Sequence, residues 1–250
     1  MDLKHLVSGT DIRGIVSEVE GKKVTLTEKE VEFIGKAFGN WITKKYGRKS
    51  ELENRKIKVS VGYDARHTGP KFSKILRDVL KSMEIDVYDC QMSITPSLFM
   101  TTIFEDYKAD GAIMITASHL PSCYNGLKFF TTEGGLEKTD VVEMLEMGNK
   151  KACQCEANLK EALKIEEKKG RSYTKNLAED YAAYTCEFIR KETGEEKPLE
   201  NLKIVIDAGN GAAGFFADKV IEELGGNSEG SQFLNPDGDF PNHIPNPEAK

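Results

Sequence analysis

Apolar residues recur at helical spacing near the start of the chain. The pattern begins after Thr27 and Glu30, which form the T-x-x-E pattern of a capping box, and continues to Gly47. It therefore predicts an amphipathic helix between Thr27 and Gly47, with one face buried. The apolar positions of that face are Val31, Ile34, Phe38 and Trp41.

Short apolar runs of strand length alternate with further helical patterns. They predict a strand at 57–61, a helix from Pro70 to Leu80, a strand at 85–88, a helix at 97–105 and a strand at 111–116. Thr95 and Pro96 would cap and open the second of these helices. A β-α-β-α-β order indicates an α/β fold with a mixed or parallel sheet and helices on both faces.

The second half of the chain has fewer elements. Residues 156–171 are rich in charge and are typical of a surface helix or connector, and a helix is predicted at 173–190, followed by a strand at 202–206. We place a domain boundary near Lys160, giving domains at 1–160 and 161–250. One strand-helix unit and a fragment cannot cover both faces of a sheet. We therefore expect a complete first domain and an incomplete second domain, with the natural chain continuing.

The composition limits the classes of function. The 250 residues carry a formal net charge of −6 and are 39% hydrophobic, which favours a soluble globular protein and disfavours a general nucleic-acid binder. No signal peptide or membrane-length apolar run is visible, so we expect a cytoplasmic protein without membrane contacts. The five cysteines are irregularly spaced, and the C-x-C of Cys153 and Cys155 has no further ligands nearby, so reduced thiols are expected.

The predicted strand at 111–116 leads into the sequence TASHLP at 116–121. A serine at the carboxyl end of a buried strand lies where α/β proteins form active sites. Ser118 has His119 beside it and Lys128 ten positions later, a set suited to phosphoryl chemistry. The alternatives are a turn serine and a hydrolase nucleophile, but Thr116 and Leu120 replace the glycines of a G-x-S-x-G elbow.

Two other loops contain candidate anion-binding groups. In residues 8–14, Arg13 is either part of a turn and strand start or a bidentate ligand for phosphate. Residues 62–69 lie between a strand and a helix. Here Asp64 and Arg66 either pair with each other or border the same crevice as Ser118.

Two motifs suggest other functions. Gly209, Gly211 and Gly214 match G-x-G-x-x-G, but Glu229 does not follow a strand as a dinucleotide site requires. We favour a tight turn with close helix packing and keep a dinucleotide-binding module as an alternative. The D-x-D at Asp237 and Asp239 lacks the further ligands of a calcium loop, so a turn is expected.

Together these motifs resemble the α-D-phosphohexomutases, which include phosphoglucomutases and phosphomannomutases. The resemblance implies that Ser118 carries a phosphoryl group, passes it to a hexose phosphate and recovers one from the bound hexose bisphosphate. Lys128 and Arg13 match residues that bind and stabilise the transferring phosphate. His119 would orient that phosphate or help to move a proton. Mg²⁺ would be bound by the phosphoryl group on Ser118 and by aspartates of a D-x-D-x-D loop.

The chain departs from this family in two ways. Leu120 stands where most members have asparagine, which leaves a non-catalytic relative as a further alternative. The D-x-D-x-D loop is absent, and it would follow the segment matched by residues 246–248. The resemblance therefore implies the amino-terminal portion of a mutase, with the serine but without the aspartate ligands, and with little or no activity alone.

Overall fold

The computed structural model describes residues 1–158 and 169–246, without the side chains of residues 150–158. The predicted boundary at Lys160 lies outside the described residues and stays a prediction. The strands are β1 (Val7–Ser8), β2 (Asp11–Ile15), β3 (Lys58–Tyr63), β4 (Asp86–Met92), β5 (Gly111–Ile115), β6 (Tyr124–Thr131), β7 (Gly134–Gly135) and β8 (Ser172–Thr174). The helices are α1 (Glu28–Leu52), α2 (Gly69–Ser82), α3 (Thr95–Met100), α4 (Lys138–Asn158) and α5 (Leu177–Thr193).

The eight strands form one mixed sheet. Its order is β1-β2-β6-β5-β3-β4-β8, with β7 paired to β6. The run from β5 to β8 is parallel, whereas β6 is antiparallel to both β5 and β2. Of the two expected alternatives, a mixed or a parallel sheet, the structure has the mixed one, and the serine loop connects its parallel part to its antiparallel part.

Alternate residues of the central strands bury two different faces. Val59 of β3 and Ile113 of β5 pack into a core with α1, α2 and α4. Ala112 and Met114, which flank Ile113 in β5, pack on the other side of the sheet with residues of α3 and α5. Side chains that alternate across a pleated strand can serve two cores only if both faces are covered. Helices therefore cover both faces, as predicted.

The predicted boundaries of two helices, α1 and α3, are wrong. The capping box of Thr27 and Glu30 is confirmed, but α1 continues past Gly47 to Leu52, because Tyr46 and Ser50 are buried and extend the same face. Helix α3 ends at Met100 rather than near residue 105, and Thr95 lies inside it rather than capping it. The side chains of the two residues that follow Met100 bond back to carbonyls of this helix, an arrangement that competes with continued helix.

The second unit, residues 169–246 of the described chain, differs most from the predicted architecture. Residues 202–206 form no regular strand, and the backbone pairing of this segment with 227–232 consists of the isolated parallel bridges Lys203↔Asn227 and Asp207↔Gln232. Leu202 and Val205 are 50% and 55% exposed, so this segment lacks the cover that a sheet would give it. The predicted helix at 173–190 starts later, at Leu177, since Ser172–Thr174 instead pairs with β4.

The buried thiols fit the expectation of reduced cysteines. Cys90 and Cys186 are buried and Cys123 is half-buried, and all three are free. Burial raises the pKa of the Cys90 thiol to about 12, so it stays protonated and unreactive at neutral pH. Cys153 and Cys155 lie among the residues whose side chains are outside the described set.

Candidate active site

Ser118 lies just beyond the carboxyl end of β5, on the loop that leads to β6. It is exposed, whereas Thr116 and Ala117 before it are buried. Its φ of +57° is in the left-handed region, which a residue with a Cβ adopts only when its surroundings hold it there. The Ser118 N–H donates to Oγ1 of Thr116 at 2.9 Å. The loop therefore presents the hydroxyl-bearing residue outward from a rigid strand end.

The buried side chain of Arg66 binds the backbone of this loop. Its side chain is 1% exposed and its guanidinium donates to the carbonyl oxygens of Ser118 at 2.9 Å and Leu120 at 2.6 Å. It also donates to Pro121, Tyr124 and the carboxylate of Asp64. The sequence motif indicated either an Asp64–Arg66 pair or a loop beside Ser118, and the structure contains both. No spacing rule could have found the four carbonyl partners.

Burial affects the charge state of this pair. It raises the pKa of the Asp64 carboxyl, and Arg66 and the Thr116 hydroxyl act in the opposite direction by bonding to the carboxylate. Burial also lowers the pKa of Arg66, with a smaller contribution from the nearby positive charge of Arg13. An arginine stays protonated despite such a shift, so the pair stays ionic.

Arg13 and Lys128 meet on one carboxylate. Arg13 Nη2 lies 2.8 Å and Lys128 Nζ lies 2.6 Å from Oδ2 of Asp11, which is 5% exposed. Strand pairing brings them together, since Arg13 of β2 is opposite Gly126 of β6, two residues before Lys128. Two cations share one anion, so the cluster keeps a positive charge that favours an additional anion.

Gly126 lies inside β6, where it pairs with Arg13 of β2 and does not interrupt the strand. A Cβ at this position would lie 2.4 Å from the carbonyl oxygen of Ile12 and 2.9 Å from that of Thr116. The absence of a side chain thus lets β2, β6 and the start of the serine loop approach closely.

A crevice of about 520 Å³ lies beside the serine. One wall comes from the part of the chain before the predicted boundary and includes Ser118, His119 and Asp64. The other residues of this wall are Ala65, Met114, Thr116 and residues 93–96. Among the described residues, Arg13 and Lys128 are not part of its lining. The structure thus brings Ser118 and His119 to the crevice and groups Arg13 with Lys128 in a separate cluster near Arg66.

The opposite wall comes from the second unit, and sequence reasoning missed its polar residues. His243 Nε2 lies 3.1 Å from Oδ1 of Asp207, and Gln232 donates to the other oxygen. The Ile244 carbonyl, and then Asp207, raise the pKa of His243, whereas His243 is the main cause that lowers the pKa of Asp207. Both face the crevice, so the pair gives this wall a titratable group.

The glycine motif at 209–214 also belongs to this wall. Gly209 has φ of +52° and a Cβ there would lie 2.9 Å from the His243 ring, while one at Gly214 would lie 1.9 Å from the Leu234 carbonyl oxygen. The turn favoured from the sequence is present at 209–210, but these glycines permit close approach to the His243 ring and to the Leu234 backbone rather than to a helix. Glu229 is exposed and pairs at 3.6 Å with Lys203. It lies in a turn, and no regular strand precedes it in the described part of the second unit, so the strand end that a dinucleotide site requires is absent there.

The D-x-D of Asp237 and Asp239 forms a turn, as expected, since Phe240 N–H donates back to the carbonyl of Asp237 at 3.1 Å. His67 approaches this turn, and its Nε2 lies 2.9 Å from Asp239. The three side chains have ligand atoms within 4.8 Å of one another, but all are at least partly exposed, and His67 and Asp239 already pair.

Comparison with known proteins agrees with this geometry. Residues 4–152 match the model of "Phosphoglucomutase/phosphomannomutase, alpha/beta/alpha domain I", and residues 172–250 match that of domain II of the same family. The chain belongs to the phosphoglucomutase/phosphomannomutase family. Within the described residues, this family member has no helix long and apolar enough to cross a membrane.

Several relatives of this family member are enzymes of known name. It is 30% identical to a phosphoglucomutase of Neisseria meningitidis over 98% of this chain and 45% of the relative. It is 30% identical to a phosphomannomutase/phosphoglucomutase of Pseudomonas aeruginosa, and 32% identical to a phosphoglucosamine mutase of Chromohalobacter salexigens. These matches cover 95% and 87% of this chain. The chain thus spans under half the length of these relatives.

Solved structures give the same fold. A phosphoglucomutase/phosphomannomutase family protein from Burkholderia thailandensis superposes with a TM-score of 0.65 at 27% identity, over 94% of this chain and 45% of that one. The open form of a Paramecium phosphoglucomutase, parafusin, gives 0.68 at 19% identity over 93% of this chain, and at that identity it supports the fold alone.

Proposed function

We propose that this chain provides the phosphoserine-bearing part of a phosphohexomutase, which interconverts hexose 1-phosphate and hexose 6-phosphate. The observation that carries the proposal is the placement of Ser118. It is exposed and left-handed, and it lies at the carboxyl edge of the sheet beside a crevice that could admit a sugar phosphate. The names of the relatives support hexose phosphates as the substrate class.

The proposed reaction balances without an outside reagent. The bond between Oγ of phosphorylated Ser118 and phosphorus breaks, and a bond forms between phosphorus and the free hydroxyl oxygen of the bound hexose phosphate. The proton of that hydroxyl ends on Oγ of Ser118, leaving a bound hexose bisphosphate. The bound hexose bisphosphate then reorients, so that its other phosphate lies beside Ser118. The reverse step transfers that phosphate to Ser118 and releases the isomeric hexose phosphate.

The neighbouring side chains would act through charge and proton transfer. Positive groups that face a transferring phosphoryl group stabilise the charge on its oxygens, and this is the main catalytic need of such a step. Lys128 and Arg13 lie outside the lining of the crevice, and we propose that their charge, which exceeds that of the single Asp11 carboxylate, acts on the phosphoryl group from the neighbouring cluster. His119, exposed in the crevice lining, would orient the phosphoryl group or relay the proton.

A Mg²⁺ site fits the described residues only in part. The crevice carboxylates are Asp64, bound by Arg66 and Thr116, and Asp207, bound by His243 and Gln232. Mg²⁺ prefers six oxygen ligands, and carboxylates already paired in this way are poor candidates. We propose that a phosphoryl group on Ser118 would be the ligand from this part of the chain, and we assign no step to the metal.

The test is phosphoryl uptake. We expect that incubating the chain with a hexose 1,6-bisphosphate and Mg²⁺ adds one phosphoryl group, detected by intact mass, and that fragmentation places it on Ser118. The Ser118→Ala variant should take up none. Ser122→Ala, which changes an exposed serine of the same loop, is the matched control and should be labelled as the parent chain is.

Turnover is a separate question, because the chain spans less than half of its relatives. We expect little interconversion of glucose 1-phosphate and glucose 6-phosphate by these residues alone. Rapid turnover with no other chain present would contradict that expectation. Absence of uptake by the parent chain, under conditions that label a full-length relative, would contradict the role given to Ser118.

A further inference from the structure

Arg66 uses every donor of its guanidinium on one loop and one carboxylate. An arginine side chain has five N–H donors in a fixed plane. Here Nη1 donates to the carbonyls of Pro121 at 2.7 Å and Tyr124 at 2.9 Å. Nη2 donates to Ser118 and Leu120, and Nε donates to Asp64 at 3.2 Å. Four carbonyls within seven residues are thus fixed relative to one planar group.

The same pair also fixes the other side of the serine. The Thr116 hydroxyl donates to Oδ2 of Asp64 at 2.6 Å and accepts from the N–H of Ser118 at 2.9 Å. The backbone of Ser118 is therefore closed into a ring of hydrogen bonds, with its N–H reached through Thr116 and its C=O bound by Arg66. This ring accounts for a left-handed φ at a residue that is not glycine.

A residue of the second unit covers this ring of hydrogen bonds. The phenyl group of Phe240 lies with its centre 5.2 Å from the guanidinium carbon of Arg66, within the range of a cation–π contact. The backbone of this segment is also close, since a Cβ at Gly238 would lie 2.8 Å from both the carbonyl oxygen of Ala65 and the N of His67. Water is thus kept from the face of a cation that has no spare donor.

We propose that Arg66 is a positioning residue: with Asp64 and Thr116 it locks the backbone of Ser118 in the conformation that presents its hydroxyl to the crevice, and Phe240 of the second unit seals this lock. The effect of Arg66 on catalysis rests on the phosphoryl transfer proposed above, whereas its effect on the conformation of the Ser118 loop does not depend on that function. The two are therefore tested by different measurements.

The first measurement is amide hydrogen exchange of residues 117–125, followed by mass spectrometry on the 250-residue chain. Arg66→Lys keeps the charge but loses the planar fork, so exchange in this loop should rise by about tenfold or more. Arg55→Lys is the matched control. It breaks a two-bonded pair with Asp110 (2.7 and 2.8 Å), outside the serine loop, and should leave exchange in the loop unchanged.

A second pair of variants guards against a general loss of structure. Thr116→Val removes only the hydroxyl link of the ring and should also raise exchange in the loop, by roughly threefold to tenfold. Thr131→Val, at a buried threonine in β6, is its control and should not. Guanidinium ion at millimolar concentration should partly restore protection in Arg66→Ala, whereas sodium chloride at equal ionic strength should not.

The catalytic consequence is measured as the rate of phosphoryl uptake on Ser118 from a hexose bisphosphate. In Arg66→Lys the maximal rate should fall by about tenfold or more, with the half-saturating concentration within about twofold, because the lock orients the hydroxyl rather than binding the sugar. Phe240→Leu should lower this rate less, since it removes the cation–π contact and keeps an apolar cover.

The outcomes separate the two ideas. Equal exchange in the loop for Arg66→Lys and Arg55→Lys overturns the lock, whatever the uptake result. Faster exchange with an unchanged uptake rate overturns its role in catalysis. If the parent chain takes up no phosphoryl group while the exchange pattern holds, the lock stands and the phosphoryl-carrier function fails.

Discussion

The two walls of the crevice are built in different ways. The wall that contains Ser118 is attached to the end of β5, a central strand of the eight-stranded sheet, and both faces of that sheet are buried. The side with Asp207 and His243 comes from segments joined by isolated bridges and polar contacts, with Leu202 and Val205 exposed beside them. We infer that the group that would undergo chemistry is held rigidly, whereas the opposing wall has less packing to fix it.

The largest expected difference between the two sides concerns core packing. Phe38 is fully buried and its ring lies 5.3 Å from that of Phe129, so Phe38→Ala should lower the free energy of unfolding by about 3–5 kcal/mol. Val205→Ala, in the second unit, should change it by no more than about 0.5 kcal/mol. Urea unfolding of both variants measures this, and equal losses would remove the distinction between the two sides.

A smaller effect is expected from glycine substitutions. In Gly126→Ala the new Cβ would meet two backbone carbonyl oxygens, so stability should fall by about 1–3 kcal/mol. Gly47→Ala in α1 is the matched control, because its Cβ would be no closer than 3.6 Å to Thr43. That change should raise the free energy of unfolding by about 0.5–1 kcal/mol. Thermal unfolding of the pair tests the two signs together.

The smallest expected effect concerns charge on the second wall. The pKa of His243 is raised and that of Asp207 is lowered, so their ion pair is complete between the two values. The contribution of His243 to stability is therefore present below its ordinary pKa of about 6.5 and is lost as pH rises through the raised value. That of Asp207 is lost as pH falls through its lowered pKa.

An NMR titration of the His243 ring measures this shift. Asp207→Asn should lower the pKa of His243 but not return it fully to normal, because the carbonyl of Ile244 still accepts from the ring. Asp239→Asn, which changes the carboxylate beside His67, is the control and should leave the pKa of His243 unchanged. If the pKa of His243 is the same in Asp207→Asn and in the parent chain, then Asp207 does not raise it and the two side chains form no ion pair in solution.

Local patterns were sufficient where one face of an element is buried. The capping box at Thr27 and the apolar spacing from Val31 to Trp41 predicted most of α1. Strand β6 was missed because its sequence, YNGLKFFT at 124–131, contains an asparagine, a glycine and a lysine that are poor strand formers. Its formation depends on pairing with β2 and β5 on both sides, which no local pattern contains. Residues 202–206 show the reverse case, since strand-forming residues without enough partners form only bridges.

The candidate site shows the same limit. The position of Ser118 after a buried strand could be predicted, because the strand pattern and the loop residues are contiguous. The lock formed by Arg66 could not, since it joins residues 52 or more positions apart through backbone carbonyls, which have no sequence pattern. Likewise, Asp11 as the shared partner of Arg13 and Lys128 depends on the pairing of β2 with β6.

The short strand β8 has a practical consequence for dividing this protein. It follows the predicted boundary at Lys160, yet it pairs with β4 at the edge of the eight-stranded sheet. Leu177, which follows it, is fully buried in a cluster with Tyr88 and Tyr107. A truncation at residue 160 would leave β4 as an open edge able to pair with another molecule, and it would uncover that aromatic cluster. An expression fragment of the first domain should therefore extend through α5.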